Sequence, residues 1–200
     1  MLQLIDKIML IRCLGDKSLP KMGSHFSNFS HKKDAAPIPA AVLILIIGHN
    51  DGPPVLFTQR SEHLHHHPGQ ISFPGGRVST GDIDRLSTAL RETEEEVGIS
   101  PDSIEIVGKL PDFDIMSGFR VTPVVGWLEP PVELSIDKFE VSEAFEVPLS
   151  HFMNPDNHQR LSKKINGKIL YYYAMPFKNR NIWGATAGML FSLYQIIKKQ

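Results

Sequence analysis

Residues 73–98 read FPGGRVSTGDIDRLSTALRETEEEVG and contain the most informative chemistry in the chain. Three glutamates in this stretch, Glu92, Glu95 and Glu96, are spaced i, i+3 and i+4, which places them on one face of a helix. Like charges so close together repel one another unless they are well solvated or bind a cation. Because hard divalent cations prefer carboxylate oxygens, the face is either a solvated surface or a metal site.

The residues around the glutamates predict where this helix begins and ends. It is expected to run from about Asp84 to Val97, with Leu86 and Leu90 on its buried side. Gly98 is suited to end it in the left-handed conformation. Before the helix, the run from Pro74 to Gly76 breaks an extended segment and predicts a loop.

Length and composition indicate a single domain of ordinary size. The chain has 200 residues and a formal net charge of -1, so it has no global positive field to attract nucleic acid or an anionic membrane. The single cysteine, Cys13, excludes an internal disulfide and fits a reducing compartment. No apolar run approaches the ~20 residues that span a bilayer, so a cytoplasmic protein without a membrane partner is predicted.

Hydrophobic patterning predicts a sheet between helices, of class α/β or α+β. Residues 1–39 are expected to form a helix over 2–14 and a linker, with the core domain spanning 40–200. The first two core strands flank a turn at 48–52 and predict a hairpin. The predicted strands are 41–47, 55–60, 71–73, 104–109, 120–128, 143–147 and 168–175, and a last helix is expected over 185–197.

A family resemblance follows from the spacing of these residues. Gly76, Asp82 and the run from Arg91 to Ile99 together resemble the Nudix box: Gly, five residues, Glu, seven residues, Arg-Glu-U-x-Glu-Glu-x-Gly-U, where U is apolar. Two positions depart from that pattern. Thr93 replaces an apolar residue, and Asp82 replaces the first glutamate with eight residues, rather than seven, before Arg91.

The segment before the box narrows the resemblance to a subfamily. Residues 56–76 are similar to the signature that precedes the box in coenzyme A diphosphatases of the Nudix superfamily. In that group an aspartate with one extra residue also replaces the first glutamate of the box. Segments 121–126, 140–149 and 182–187 are similar to the same group, so the resemblance covers residues ~40 to ~195.

The resemblance implies a Nudix fold, an α/β/α sandwich with a mixed β-sheet, and a reaction that depends on Mg²⁺ or Mn²⁺. The expected substrates are coenzyme A and acyl-coenzyme A, cleaved to 3′,5′-ADP and phosphopantetheine or its acylated form. Carried over by position, Glu92, Glu95 and Glu96 are metal ligands and Arg91 orients them.

The resemblance also implies which residues meet the substrate. Gly75 and Gly76 shape the loop beside it. His67 and Gln70 occupy signature positions expected to orient the substrate, with a role in loop structure as the alternative, and Arg60 is expected either to face a phosphate or to pair with an acidic side chain. The general base stays open: Glu92 is the first choice, and Glu140 or Glu143 are the downstream alternatives.

Other interpretations remain beside this one. One alternative is that the substrate is another nucleoside diphosphate derivative, such as ADP-ribose. Another is that the chain is a non-catalytic nucleotide-binding module. The sequence is also compatible with a homodimer. Lys178 and Arg180 are expected in a solvated loop, with a phosphate contact as the alternative. Trp183 is expected to be a packing anchor, with base stacking as the alternative.

Overall fold

The computed structural model describes residues 5–15, 36–165 and 167–199, which form helices on both sides of a β-sheet. The helices are α1 (Lys7–Gly15), α2 (Arg85–Val97), α3 (Leu149–Met153) and α4 (Gly184–Lys198). The strands are β1 (Ile38–Ile47), β2 (Pro54–Arg60), β3 (Ile71–Ser72), β4 (Gly75–Arg77), β5 (Ile104–Lys109), β6 (Phe113–Asp114), β7 (Phe119–Leu128), β8 (Val141–Pro148), β9 (Gln159–Ile165) and β10 (Lys168–Ala174).

The main sheet is built around β1. This strand pairs in parallel with β7 along its length and antiparallel with β2 and β4. Antiparallel partners extend the sheet on both sides: β3 and β8 pair with β2, and β5 and β6 pair with β7. The predicted mixed sheet and the predicted hairpin of β1 and β2 are therefore confirmed, while β9 and β10 form a separate two-stranded sheet.

Both faces of β1 are buried, which explains its continuous apolar sequence. Leu43 and Leu45 pack on the face covered by α2, whereas Ile44 and Ile46 pack on the face covered by α1, α3 and α4. Successive strand side chains point to opposite faces, so a strand with helices on both sides is apolar at every position. The predicted three-layer α/β/α architecture is confirmed.

Helix α1 packs against β5 and α4. Leu10 and Cys13 are buried in the core cluster on that side of the sheet, and Lys7 forms an ion pair with Glu105 at 3.0 Å. This helix therefore covers the core. The predicted start of the helix and most of the predicted linker lie outside the described residues.

The structure corrects the prediction of a loop at Gly75 and Gly76. These residues begin β4, which pairs with Ala40 to Val42 of β1. The pairing is close because Gly75, at φ 155°, has no side chain: a Cβ there would lie 2.4 Å from the carbonyl oxygen of Ala41. Three further elements, α3, β6 and β9, are absent from the predicted set; β9 is largely exposed and has no apolar alternation to indicate a strand. None of the helices in the described parts of the chain has the length and hydropathy of a membrane span.

Candidate active site

Both ends of α2 are fixed by its own sequence. Asp84 is the N-cap: its carboxylate accepts the Ser87 backbone N–H at 2.8 Å, and the Ser87 hydroxyl accepts the Asp84 N–H at 3.0 Å. Gly98 ends the helix with φ 74°, as predicted, and its N–H donates to the Glu94 carbonyl at 2.9 Å. The glutamates between these caps are therefore displayed from a well-defined helix.

The three glutamates of α2 differ sharply in exposure. The side chain of Glu95 is 59% exposed and that of Glu92 is 16% exposed, whereas Glu96 is buried at 4%. Glu96 Oε2 accepts the Thr58 hydroxyl at 3.2 Å, and Oε1 accepts the Gly75 N–H at 3.4 Å. Burial raises the pKa of Glu96 to about 8, although these two donors and the charge of Arg60 oppose the rise. The face is thus partly desolvated, not simply a solvated row of acids.

Glu92 lies directly over Gly76. A Cβ on Gly76 would lie 2.4 Å from the carboxylate carbon of Glu92, so only glycine leaves room for this side chain. Burial raises the pKa of Glu92, and the charges of Glu95 and Glu140 add to the effect, while Arg91 opposes it. Glu140, in the turn before β8, is therefore close enough to act electrostatically on Glu92.

Arg91 connects the glutamates to Asp82. Its Nε and Nη2 donate to the two carboxylate oxygens of Asp82 at 2.9 and 3.0 Å, and its Nη1 pairs with Glu92 and Glu95, each at 2.8 Å. Asp82 also accepts the Ser79 N–H and the Thr88 hydroxyl, both at 2.8 Å.

Asp82 is consequently a positioning residue for Arg91 in this structure. Its side chain is only 4% exposed, and the Arg91 hydrogen bonds, followed by the Ser79 N–H, hold the pKa of Asp82 well below its usual range. The sequence offered one signal for the pairing of Asp82 with Arg91. Asp82 occupies the first acidic position of the Nudix box, although eight residues rather than seven separate it from Arg91.

The donor set fits a hard divalent cation by its chemistry. Glu92 and Glu96 are carboxylates whose charged forms are disfavoured by burial, so a cation would stabilise them. Within residues 5–15, 36–165 and 167–199, however, no three His, Cys, Asp or Glu side chains are arranged as a ready metal cluster. Arg91 Nη1 pairs instead with one carboxylate oxygen of Glu92 and one of Glu95.

A cleft of about 500 Å³ lies on the other face of β2. Gln59 lines it and follows Thr58, whose side chain contacts Glu96, so the two side chains point to opposite faces of the strand. Three other parts of the chain also line the cleft, within residues 68–71, at Glu143 and within residues 179–183. Their polar and aromatic members are Gln70, Glu143, Asn179, Arg180, Asn181 and Trp183.

The predicted substrate residues are divided between the two faces. Gln70 lines the cleft, and its carbonyl accepts the backbone N–H of Arg60 at 2.9 Å. Arg60 ends β2, and its charge lowers the pKa of Glu96. His67 is exposed at φ 56°, and its carbonyl accepts the Gln70 N–H at 3.3 Å, so its visible contribution is to the loop.

Three expectations about the carboxy-terminal half are corrected. Glu143 does not lie beside the α2 glutamates but forms an ion pair with Arg180 in the cleft. Arg180 is not in a solvated loop, because its guanidinium lies 4.1 Å from the ring centroid of Phe145 and its side chain is 22% exposed. Trp183 is 43% exposed and lines the cleft, so it is not a buried anchor.

Comparisons with known proteins agree with this fold. Residues 37–166 match the model of the NUDIX domain. The chain is 38% identical over 151 residues to the uncharacterized Nudix hydrolase NudL of Enterobacter sp. (strain 638) and 40% identical to that of Escherichia coli (strain K12), covering 76% of this chain and 78% of each relative. It also resembles the MutT/nudix family protein from Enterococcus faecalis, with TM-score 0.53, 14% identity and coverage of 99% and 76% of the two chains.

The chain belongs to the Nudix family. Within that family it is a Nudix hydrolase, a pyrophosphohydrolase that acts on a nucleoside diphosphate derivative.

Proposed function

We propose that this enzyme hydrolyses the diphosphate bond of coenzyme A and acyl-coenzyme A, with Mg²⁺ or Mn²⁺, to 3′,5′-ADP and phosphopantetheine or its acylated form. One observation carries the proposal. The segment 56–76, which resembles the coenzyme A diphosphatase signature, supplies Thr58 and Gly75, the two hydrogen-bond donors to buried Glu96. The subfamily signature and the family's acidic helix therefore meet at one carboxylate.

In this proposal Glu92, Glu95 and Glu96 hold the cation. A bound Mg²⁺ or Mn²⁺ supplies positive charge against the diphosphate oxygens and acidifies water. Glu92 and Glu95, which pair with Arg91 Nη1, would hold the cation together with Glu96, while Asp82 keeps the Arg91 guanidinium in place through Nε and Nη2. The cytosol is the proposed setting.

The remaining residues bind substrate and handle the proton. Arg60 faces the diphosphate, because its charge already acts at Glu96. Glu92 is the proposed general base, since burial raises its pKa and so its affinity for a proton, and Glu140 is the alternative because its charge acts on Glu92. Gly75 and Gly76 allow β4 to approach both β1 and Glu92.

Product analysis tests the proposal directly. The purified full chain is incubated with coenzyme A and Mg²⁺, the products are separated by chromatography, and kcat/KM is compared with that for ADP-ribose. We expect 3′,5′-ADP, its loss with EDTA, and a higher kcat/KM for coenzyme A. If no 3′,5′-ADP forms above the EDTA control, or if ADP-ribose is the better substrate, the proposed substrate is wrong.

A further inference from the structure

The cleft on the far face of β2 is rich in groups that both donate and accept hydrogen bonds. Four carboxamide side chains line it, those of Gln59, Gln70, Asn179 and Asn181. A carboxamide offers an N–H₂ donor and a carbonyl acceptor side by side. The edge of a nucleobase presents the same combination in reverse, so such a wall is chemically suited to a heteroaromatic base.

An exposed indole stands among these carboxamides. Trp183 lines the cleft and is 43% exposed, although one side of its ring contacts Tyr172 edge-on, with centroids 5.8 Å apart. An accessible aromatic face is the group on which nucleobases stack. Trp183 is also the N-cap of α4, and the bond of Thr186 Oγ1 to the Ile71 carbonyl at 3.1 Å ties the start of that helix to β3. The indole is therefore presented from a well-anchored position.

The electrostatics of the cleft favour a neutral group over a phosphate. Of the described residues that line it, Arg180 and Glu143 carry charge, and they form an ion pair with each other. Arg180 is further fixed by its stacking on Phe145. Because the pair has no net charge, a free phosphate gains little there compared with a flat, uncharged ring.

We infer that this cleft binds the nucleobase of the substrate, stacked on Trp183 with its polar edge toward the carboxamides. The inference rests on the proposed function, because it assigns one end of that substrate to the cleft. Gln59 in the cleft and Thr58 beside Glu96 are successive residues, and Arg60 ends the same strand. Neighbouring residues of one strand thus line the cleft and contact the buried glutamate of α2.

Fluorescence of a single tryptophan tests the inference without turnover. The chain has two tryptophans, and Trp127 is 8% exposed with its Nε1–H bonded to Glu129 at 2.9 Å. In a Trp127→Phe protein, Trp183 is the single source of tryptophan fluorescence. With EDTA present, we expect adenosine and 3′,5′-ADP to quench its emission saturably, while phosphopantetheine and inorganic phosphate leave it unchanged. Quenching by phosphopantetheine but not adenosine would show that the cleft holds the other end of the substrate, and no quenching by either would equally overturn the inference.

Steady-state kinetics with matched variants provide a second test. Trp183→Leu is expected to raise KM by about 5- to 150-fold while kcat changes little, as for the loss of one base–aromatic stack. Tyr171→Leu is the control, because Tyr171 is similarly exposed at 44% but lies in β10, outside the cleft. If Trp183→Leu folds poorly, Asn181→Ala takes its place as the test because it changes an exposed side chain. This variant is also expected to raise KM.

The two proposals fail in different ways. If adenosine quenches Trp183 emission but coenzyme A is not hydrolysed, the cleft still binds the base and the substrate is another nucleoside diphosphate derivative. If coenzyme A is hydrolysed while both cleft variants keep the wild-type KM, the inference about the cleft is wrong and the proposed function stands.

Discussion

Glu96 is the residue at which burial and charge conflict most strongly in this enzyme. A carboxylate at 4% exposure loses hydration that two hydrogen bonds, at 3.2 and 3.4 Å, replace only in part. An isosteric neutral side chain would fit the same space at lower electrostatic cost, so a buried charge here indicates a functional role. The proposed function is cation binding.

Glu96→Gln is therefore expected to lower kcat by about 100-fold or more without loss of folding, because it removes a metal ligand and a buried charge together. The measurements are kcat at saturating Mg²⁺ and Tm. Glu94→Gln is the matched control, since Glu94 is on the same helix but exposed. Near-normal turnover of Glu96→Gln, or an equal loss in the control, would contradict the metal assignment.

Asp82 gives a pH-dependent prediction. Its pKa is lowered in the folded state from 3.8, chiefly by Arg91, so its contribution to stability is present above pH 3.8 and is lost as the pH falls further. Below that pH the unfolded chain takes up a proton that the folded chain does not. We expect the free energy of unfolding to fall more steeply below pH 4 in the wild type than in Asp82→Asn. Parallel profiles from denaturant titrations between pH 2.5 and about 6 would refute this.

At the scale of elements, β4 has no side chain of its own at Gly75 and Gly76, where β1 and the Glu92 side chain of α2 approach it. Gly76 leaves space for the Glu92 carboxylate. Gly75 leaves space for the backbone of β1. The sequence identified both glycines and the helix with its end at Gly98, because caps and helical spacing act over a few residues. It did not predict that β4 is a strand, because its three residues have no apolar period and pair only through contact with a distant strand.

Gly76→Ala tests this contact. The added Cβ would lie within 2.4 Å of the Glu92 carboxylate and displace it, so we expect kcat/KM to fall by at least about 10-fold with a folded protein. Gly81→Ala is the control, because nothing lies within 4 Å of a Cβ there. Circular dichroism and steady-state kinetics on both variants decide the matter, and equal activity in both would mean that the Glu92 side chain has no fixed catalytic position.

At the scale of the whole molecule, α1 and the glutamates of α2 lie on opposite faces of the sheet. The acidic helix α2 covers one face, and α1 is part of the core on the other, where Leu10 is fully buried. Leu10→Ala is expected to lower the free energy of unfolding by roughly 2–5 kcal/mol, because it opens a cavity in that core. Kinetics at 25 °C should change little, since α1 lies on the face opposite the glutamates.

Denaturant titration of Leu10→Ala alongside Ile8→Ala measures this effect, because Ile8 is on the same helix but 58% exposed. Equal stability of the two variants would show that α1 is not an integral part of the core.

The sequence by itself determined the family, the mixed sheet, the helix that displays Glu92, Glu95 and Glu96, and the glycines that flank it. These follow from short-range spacing and from a motif within 26 residues. Only the tertiary structure decided that Glu96 is buried under Thr58 and that Gln59 and Trp183 line one cleft. Those contacts bring together residues as much as 124 positions apart (183 − 59), and no local pattern encodes which distant side chains will meet once the sheet has formed.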